Sequence, residues 1–232
     1  MFIIEGNIGA GKSTFLKLMA KKLPYLSVSL EPVNNWQKQI YGQSLLTNFY
    51  ENSQRWAYTF ETLTMMNRVQ EHVTLQKQED PLTLVERSVY SGHYCFAHNS
   101  YAQGFLNAME WRIYEQWFDW LVQKHCQPPT GFIYLRVDPK ISYERIKKRN
   151  RHAEKTISLQ YLKQIHNRHD SFLIQKNNVL DALKKVPVLL LDCNTEFEHD
   201  ENKLNQHVES VQNFLNMTHS AHVHDTRIIS CS

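Results

Sequence analysis

The sequence is poor in the residues that mark several classes of protein. It has four cysteines in 232 residues, none in a C-x-x-C pair, which disfavours a disulfide scaffold or a thiolate zinc site and indicates a reducing compartment. Glycine and proline number seven each, which excludes a collagen-like or low-complexity chain. No apolar run approaches the roughly 18 residues of a membrane span, and the start, M-F-I-I-E-G, lacks the basic segment of a targeting peptide. We therefore expect a soluble, cytoplasmic protein without a membrane partner.

The sequence also lacks a strong excess of charge of one sign. Lys and Arg total 26 against 23 Asp and Glu, a formal net charge of +3. A nucleic-acid polymer is a disfavoured partner, because proteins that bind one usually carry a concentrated basic stripe. The hydrophobic fraction of 42% excludes wholesale disorder, and the length suits one domain with a proper core.

Short apolar bursts alternate with helical patterns along the chain. The bursts lie at residues 2–4, 26–30, 82–85, 132–137 and 188–191. Strands separated by helices predict an α/β protein with a parallel sheet. After Leu215 the sequence loses its periodicity, so we expect one domain over residues 1–215 and a mobile tail over 216–232.

Residues 6–13 fit the phosphate-loop pattern G-x-x-x-x-G-K-[ST], between a short apolar strand and an amphipathic helix. Glycines let backbone N–H groups turn inward around a phosphate, and the helix that follows presents its positive N-terminus. Lys12 is expected to reach the β- and γ-phosphates, and the Ser13 hydroxyl to hold Mg²⁺. The pattern predicts that the chain binds a nucleoside triphosphate.

A phosphate loop alone leaves several classes of protein open. A GTPase also needs D-x-x-G and N-K-x-D, which do not occur here, and motor ATPases need a longer chain. A compact small-molecule kinase is therefore favoured. In an open parallel sheet the acceptor binds at the carboxyl ends of the strands. Glu31 and the pair Glu86-Arg87 follow two such strands, which suggests Glu31 as a base and Arg87 as a cation near the reacting groups.

A basic cluster follows the fourth predicted strand. Arg145 and Arg149 lie four residues apart, so both can face the same phosphates from one side of a helix. With Arg151 and the flexible stretch 150–156, they predict a lid that excludes water from the triphosphate.

Eight blocks resemble the deoxyribonucleoside kinase family, and within it the deoxycytidine and deoxyguanosine kinase branch. They are, in family order, G-N-I-G-A-G-K-S-T (6–14), E-P-V-N-N-W (31–36), R-W-A-Y-T-F-E-T (55–62), E-R-S-V-Y-S (86–91), E-W-R-I-Y (110–114), G-F-I-Y-L (131–135), R-I-K-K-R-N-R (145–151) and V-P-V-L-L-L-D (186–192). The resemblance covers the chain to about Phe214. It implies the P-loop kinase fold, a five-stranded parallel sheet flanked by helices, with an arginine-rich lid.

The resemblance implies roles at the reacting end of the site. Glu31 takes the proton from the 5′-hydroxyl of a deoxyribonucleoside, Arg87 holds that hydroxyl and Glu31, and Glu86 joins Ser13 in the magnesium shell. ATP, or another nucleoside triphosphate, is the phosphoryl donor. Its expected contacts are Gly6, Asn7, Ile8, Gly9, Ala10, Gly11, Lys12, Ser13, Thr14, Arg145, Arg149, Arg151, Glu196 and Phe197.

The resemblance also implies how the nucleoside is held and how the chain assembles. Tyr50 and Glu154 hold the sugar 3′-hydroxyl, while Trp36, Phe60 and Phe96 wall the base pocket. A homodimer is implied, formed through the helices that contain Trp56 and Trp117.

Two positions depart from the family pattern. Glu61 replaces the usual Gln that reads the base edge, and Gly92 replaces the Asp that partners the retained Arg68 in this branch. An ionised Glu61 offers only acceptors, which suit the N1–H and 2-amino group of guanine, with Arg68 donating to O6 and N7, and clash with the N3 lone pair of cytosine. We hypothesise that Glu61 favours guanine or relaxes discrimination between bases.

Three other interpretations remain open at this point. A thymidylate-type nucleoside monophosphate kinase shares the P-loop and the lid but needs extra basic residues for the acceptor's phosphate. A non-catalytic nucleotide-binding module would be expected to lose Lys12, Glu31 or Arg87. A metal site at His166 and His169 is disfavoured against a solvated helix face, since twelve histidines make such spacings common.

Overall fold

The structure is a computed structural model that describes residues 1–31, 39–40, 43–78 and 82–229. Its centre is a parallel sheet of five strands in the order β2-β5-β1-β6-β7. These strands are β1 (Phe2–Glu5), β2 (Ser27–Ser29), β5 (Thr83–Glu86), β6 (Gly131–Arg136) and β7 (Val188–Asp192), while β3 (Gln39–Ile40) and β4 (Gln43–Ser44) form a separate antiparallel pair. Each predicted apolar burst matches one of these strands to within one residue at either end, so the predicted five-stranded parallel sheet is confirmed.

Helices fill the connections between the strands. In chain order they are α1 (Lys12–Lys22), α2 (Leu45–Glu51), α3 (Ser53–Leu75), α4 (Val89–Ser91), a π-helical turn (Gly92–Ala97), α5 (His98–Ala102), α6 (Ala108–His125), α7 (Pro139–Arg149), a 3₁₀ turn (His152–Glu154), α8 (Leu159–His169), a second π-helical turn (Asp170–Ile174), α9 (Asp181–Lys184) and α10 (Glu201–Ile229). Within these described segments, no helix is both long and apolar enough to cross a membrane.

Local sequence explains where several helices begin. At the start of α6 the Asn107 side chain accepts a hydrogen bond from the Glu110 N–H, and the Glu110 carboxylate accepts one from the Asn107 N–H. Together the two bonds form a capping box. Asp138 caps α7, whose first residue is Pro139. The last helix runs past Leu215, where the sequence predicts a loss of periodic structure. Once the first half of α10 is packed, each further residue of the helix adds one backbone hydrogen bond. The helix can therefore continue without an apolar face along its whole length. The mobility of the tail and the boundary at residue 215 stay predictions.

Alternating side chains of the central strands build a core on both faces of the sheet. In β1, Ile3 packs with the layer that contains α3 and α6, whereas Phe2 and Ile4 pack with the layer that contains α1 and α10. All five strands run in the same direction, so their carboxyl ends lie at one edge. The P-loop, Glu31 and Glu86 follow three neighbouring strands and therefore meet at that edge.

Candidate active site

The loop between β1 and α1 is shaped to surround an anion. Gly9 has φ 78°, and a Cβ there would lie 2.6 Å from the Ser142 carbonyl oxygen, so a larger residue would not fit. Asn7 ties the loop to α8, because its Nδ2 donates to the Leu162 carbonyl oxygen at 2.8 Å while its Oδ1 accepts from the Ile8 N–H at 2.8 Å. The loop presents the first N–H groups of α1, which favour a phosphate.

Lys12 is buried at the base of this loop. Its Nζ donates to the carbonyl oxygens of Asn7 at 2.9 Å and Gly6 at 3.2 Å. Burial, helped by the Arg87 guanidinium and opposed by the Glu86 carboxylate, lowers the pKa of Lys12 to about 7. A bound anion would favour the charged form of this ammonium group.

Ser13 and Glu86, the predicted metal shell, lie in direct contact. The Ser13 Oγ donates to both carboxylate oxygens of Glu86, at 2.8 and 2.9 Å. Hydroxyl and carboxylate oxygens are the ligands that Mg²⁺ prefers, usually with only one or two protein groups. The donor set therefore fits a magnesium ion.

Glu31 is held by two arginines from different elements. Arg68 Nη2, from α3, donates to Glu31 Oε1 at 2.5 Å, and Arg87 Nε donates to Oε2 at 3.1 Å. All three side chains are buried. Burial alone would raise the pKa of Glu31, but the Arg68 and Arg87 charges outweigh it and lower the pKa below the ordinary carboxyl value. Glu31 is therefore an ionised carboxylate near neutral pH.

Arg87 has a backbone conformation that non-glycine residues rarely adopt, with φ 65°. Its N–H donates to the Ile4 carbonyl oxygen at 2.9 Å, and the next residue, Ser88, donates from Oγ to Glu5 Oε1 at 2.6 Å. These bonds to β1 stabilise the turn that presents Arg87 to Glu31. Sequence reasoning missed Glu5, although its position directly before the P-loop was a signal; burial raises its pKa.

A central cavity of about 290 Å³ opens beside these residues. Its walls include Phe60, which stacks on Phe49 with ring centroids 4.7 Å apart, and Phe96, whose ring lies 4.7 Å from the Arg87 guanidinium carbon. Tyr50 and Tyr161 also line it and meet edge to face. Sequence reasoning missed the wall residues Lys17, Phe49 and Tyr161; only Lys17, one helical turn beyond Ser13, could have been found from spacing.

Of the two positions that depart from the family pattern, Glu61 lines this cavity, and Gly92 lies against Arg68, which also lines it. Glu61 is 2% exposed, and its Oε1 accepts a hydrogen bond from the Ser100 Oγ at 2.9 Å. A Cβ at Gly92 would lie 2.7 Å from Arg68 Nη1, so the guanidinium occupies the space that a side chain at position 92 would need. Arg68 thereby reaches Glu31. Its predicted donation to guanine stays a prediction.

Two of the three predicted lid arginines converge on Glu154. Arg149 Nη2 donates to Glu154 Oε2 at 2.6 Å, and Arg151 Nη1 lies 3.6 Å from Glu154 Oε1. All three residues line the central cavity. Arg145 points away from that pair, because its Nη2 donates to the Cys193 carbonyl oxygen at 3.0 Å. Carbonyl oxygens after β7 thus bind Arg145, whereas Arg149 pairs with Glu154, and the expectation that both face the same phosphates stays a prediction.

Of the two residues expected at the donor's base, Phe197 packs near the P-loop and Glu196 bonds within its own turn. Phe197 is buried against Phe15, with ring centroids 6.0 Å apart, and its ring lies close to Gly11 of the P-loop. The Glu196 carboxylate accepts from the Glu198 and His199 N–H groups, so it caps its own turn. A contact of Glu196 or Phe197 with the donor's base stays a prediction. Trp36 lies outside the described residues.

The histidine pair does not form a solvated face. His169 is fully buried, its Nδ1 lies 2.8 Å from the Ile165 carbonyl oxygen, and burial lowers its pKa to about 3. His166 Nε2 lies 3.5 Å from Asp170 Oδ2. Over residues 1–31, 39–40, 43–78 and 82–229, no group of three or more His, Cys, Asp and Glu side chains is placed to hold a metal ion.

Comparison with known proteins gives a consistent result. The family model described as deoxynucleoside kinase matches residues 2–216. The chain is 36% identical over 235 aligned residues to deoxycytidine kinase 2 of Gallus gallus, covering 91% of this chain and 89% of that protein. It is 36% identical over 231 residues to the mitochondrial deoxyguanosine kinase of Xenopus laevis, with 89% and 87% covered. It is 35% identical over 235 residues to deoxycytidine kinase of Homo sapiens, with 91% and 89% covered.

Proposed function

The chain belongs to the deoxynucleoside kinase family, and from that premise we propose that it transfers the γ-phosphoryl group of ATP, or of another nucleoside triphosphate, to the 5′-hydroxyl of a deoxyribonucleoside in nucleotide salvage. One observation carries this proposal. Glu31, ionised between Arg68 and Arg87, opens on the same cavity as Lys12 and the Ser13–Glu86 pair. A base, a cation and the phosphate loop thus share one site.

Glu31 is the general base of the proposed reaction. Its carboxylate takes the proton of the 5′-hydroxyl as that oxygen attacks the γ-phosphorus, and the bond from the γ-phosphorus to the bridging oxygen breaks to release ADP. Arg87 Nε holds Glu31 Oε2 at 3.1 Å, so the same guanidinium can orient the carboxylate and meet negative charge on the transferring group.

The donor's phosphates lie in the P-loop and under the lid. Lys12 neutralises the phosphates within the P-loop, and Arg149, at the end of α7, and Arg151 act beside Glu154, with which both pair. Ser13 and Glu86 would hold a magnesium ion, which would supply positive charge beside the phosphates. Contacts of the donor with Arg145, Glu196 and Phe197 are part of the same proposal.

The acceptor occupies the aromatic part of the central cavity. Phe60 and Phe96 provide flat apolar walls for a nucleobase, and Tyr50 and Glu154, which line the same cavity, are the groups to which we assign the sugar 3′-hydroxyl. The substrates we propose are deoxycytidine, purine deoxynucleosides or both, since the two kinds of relative are named for deoxycytidine and deoxyguanosine.

We also propose a homodimer that forms through α3 and α6. Their outer surfaces expose Met66, Met109, Trp117 and Trp120 by 46% or more of each side chain. Exposed apolar groups this large are typical of protein interfaces. A cytoplasmic location fits the free thiols of Cys95, Cys126 and Cys193.

A coupled assay of ADP release tests the proposed function. Purified protein with ATP and magnesium should turn over with at least one deoxynucleoside and yield its 5′-monophosphate, identified by chromatography. Deoxynucleoside monophosphates are the matched alternative acceptors, and faster turnover with them would favour a monophosphate kinase. The absence of turnover with either class would favour a non-catalytic nucleotide-binding module.

A further inference from the structure

One end of the central cavity combines flat aromatic walls with a buried acid. Phe60, stacked on Phe49, and Phe96 supply the walls, and Glu61 follows Phe60 directly in α3. A nucleobase fits between aromatic walls, and a polar side chain at such a place faces the base's hydrogen-bonding edge. The role of Glu61 developed below rests on the proposed function, because it assumes that a nucleoside lies in this cavity.

Glu61 is a buried carboxyl group whose hydrogen bond comes from a neutral hydroxyl rather than from a cation. Its Oε1 accepts from Ser100, and Arg68, seven residues further along the same helix, pairs with Glu31 instead. In the part of the chain that the structure describes, no ion pair includes Glu61 and no hydrogen bond reaches its Oε2. Burial without a close counter-charge favours the neutral acid and raises the pKa of Glu61 to about 7.

The groups around Glu61 keep one charge state near neutral pH. Arg68 on the same helix stays cationic, because ion pairing with Glu31 raises its pKa despite burial. Ser100 on α5 is neutral. Burial raises the pKa of each neighbouring tyrosine and lowers the pKa of the histidine on the adjacent π-helical turn; these residues are Tyr50 of α2, Tyr114 of α6, Tyr161 of α8 and His93. Among these groups, Glu61 is the one whose charge changes between pH 6 and 8; Lys12, which lines the same cavity, also has a pKa of about 7.

We propose that Glu61 reads the base in two protonation states, so that the neutral carboxyl accepts cytosine and adenine while the carboxylate accepts guanine. The neutral acid donates one hydrogen bond and accepts another, which matches the ring-nitrogen lone pair and the amino group of cytosine or adenine. The carboxylate only accepts, which matches the N1–H and 2-amino donors of guanine. In the wrong pairing, the carboxylate faces the ring-nitrogen lone pair of cytosine or adenine, or the acid proton faces the N1–H of guanine. Either arrangement leaves buried polar groups without a hydrogen bond.

The test is the pH dependence of a ratio of specificity constants. kcat/KM is measured for deoxycytidine, deoxyadenosine and deoxyguanosine at pH 6, 7 and 8 with saturating ATP. A free-enzyme group with a pKa near 7 loses about tenfold of its protonated fraction across this range and gains about tenfold of its ionised fraction. The ratio of deoxyguanosine to deoxycytidine should therefore rise by up to about a hundredfold, with deoxyadenosine following deoxycytidine. Titration of Lys12 affects all acceptors equally and cancels in the ratio.

Two variants separate this role from other causes. Glu61→Gln cannot ionise, keeps an acceptor for Ser100, and should make the ratio independent of pH. Ser100→Ala removes the hydrogen bond that lowers the pKa of Glu61, so the midpoint of the ratio should move to higher pH. A ratio that stays constant with pH in the wild type, or one that changes equally in Glu61→Gln, overturns the inference while leaving the kinase function intact. A protein that phosphorylates no deoxynucleoside overturns the proposed function and this inference together.

Discussion

Replacing Glu31 with Gln tests the centre of the proposed mechanism. The amide keeps the shape of the side chain but cannot take a proton, and a general base contributes about 10²–10⁴-fold to the rate. We therefore expect kcat to fall by at least about a hundredfold while nucleoside binding, measured by titration calorimetry, changes little. Turnover within about threefold of the wild-type rate would show that Glu31 is not the base.

The same substitution should lower the stability of the protein. Arg68 and Arg87 are both buried and would lose their shared counter-charge. Removing one partner of a buried ion pair costs about 3–5 kcal/mol. Because the carboxylate borders a cavity, we expect about 3 kcal/mol, which for a chain of this size lowers Tm by about 6–12 °C. Assays well below that Tm separate the loss of the base from unfolding.

A neighbouring carboxylate provides the matched control. Glu71 lies on α3, as Arg68 does, and its Oε1 accepts from the Ser29 Oγ at 2.6 Å; Glu71 does not line the central cavity. Glu71→Gln removes a similar charge without touching the reacting groups, so kcat should stay at the wild-type value. If both variants lose activity equally, the effect of Glu31→Gln comes from the general electrostatics of the region.

The lowered pKa of Glu31 also predicts how stability depends on pH. Its contribution is fully present above the ordinary carboxyl pKa and is lost as the pH falls through the lower folded-state value. Thermal unfolding from pH 7 to pH 3 should therefore show a steeper loss of Tm in the wild type than in Glu31→Gln on the acid side of that range. Parallel curves would mean that Glu31 and its two arginines do not stabilise the fold.

Three further predictions concern the donor, the lid and assembly. Because burial lowers the pKa of Lys12 to about 7, ATP binding near pH 7.5 should take up a fraction of a proton. Calorimetry in buffers of different ionisation enthalpy measures this uptake, and Lys12→Ala should abolish both the uptake and turnover. Glu154→Gln removes the anchor of Arg149 and Arg151, so KM should rise severalfold for both the donor and the nucleoside; a change confined to one substrate would contradict the shared contact. Trp117→Glu should convert a dimer to a monomer by light scattering, and an unchanged mass would exclude α6 from the interface.

Much of the fold followed from patterns that a single sequence displays. The five strands were predictable because apolar bursts, each closed by a polar residue or a proline, are typical of buried parallel strands. The face of α6 was predictable for the same reason, since helical spacing brings Trp111, Tyr114 and Phe118 into the core. The break between two helices was harder to see, because Asn52 ends α2 and caps α3 within a stretch of continuous helical periodicity.

The parts of the site that depend on side-chain partners were harder to predict. Arg145 and Arg149 have the same residue type and helical spacing, yet Arg145 bonds to carbonyl oxygens after β7 while Arg149 pairs with Glu154. Periodicity places a side chain on a face but does not tell which acceptor lies beyond it. The burial of His169 was missed because sequence spacing gave no sign of the tertiary contacts that enclose it.

The position of Arg68 depends on a residue that has no side chain. A Cβ at Gly92 would lie 2.7 Å from Arg68 Nη1, so any larger residue would force the guanidinium to move. With glycine there, Arg68 contacts Glu31, 37 positions earlier in the chain, and lowers the pKa of the proposed base. The same contact pairs Arg68 with Glu31 rather than with Glu61, whose pKa is raised by burial. Gly92 thus links the charge of the proposed base to the charge of Glu61, the residue that we propose reads the nucleobase.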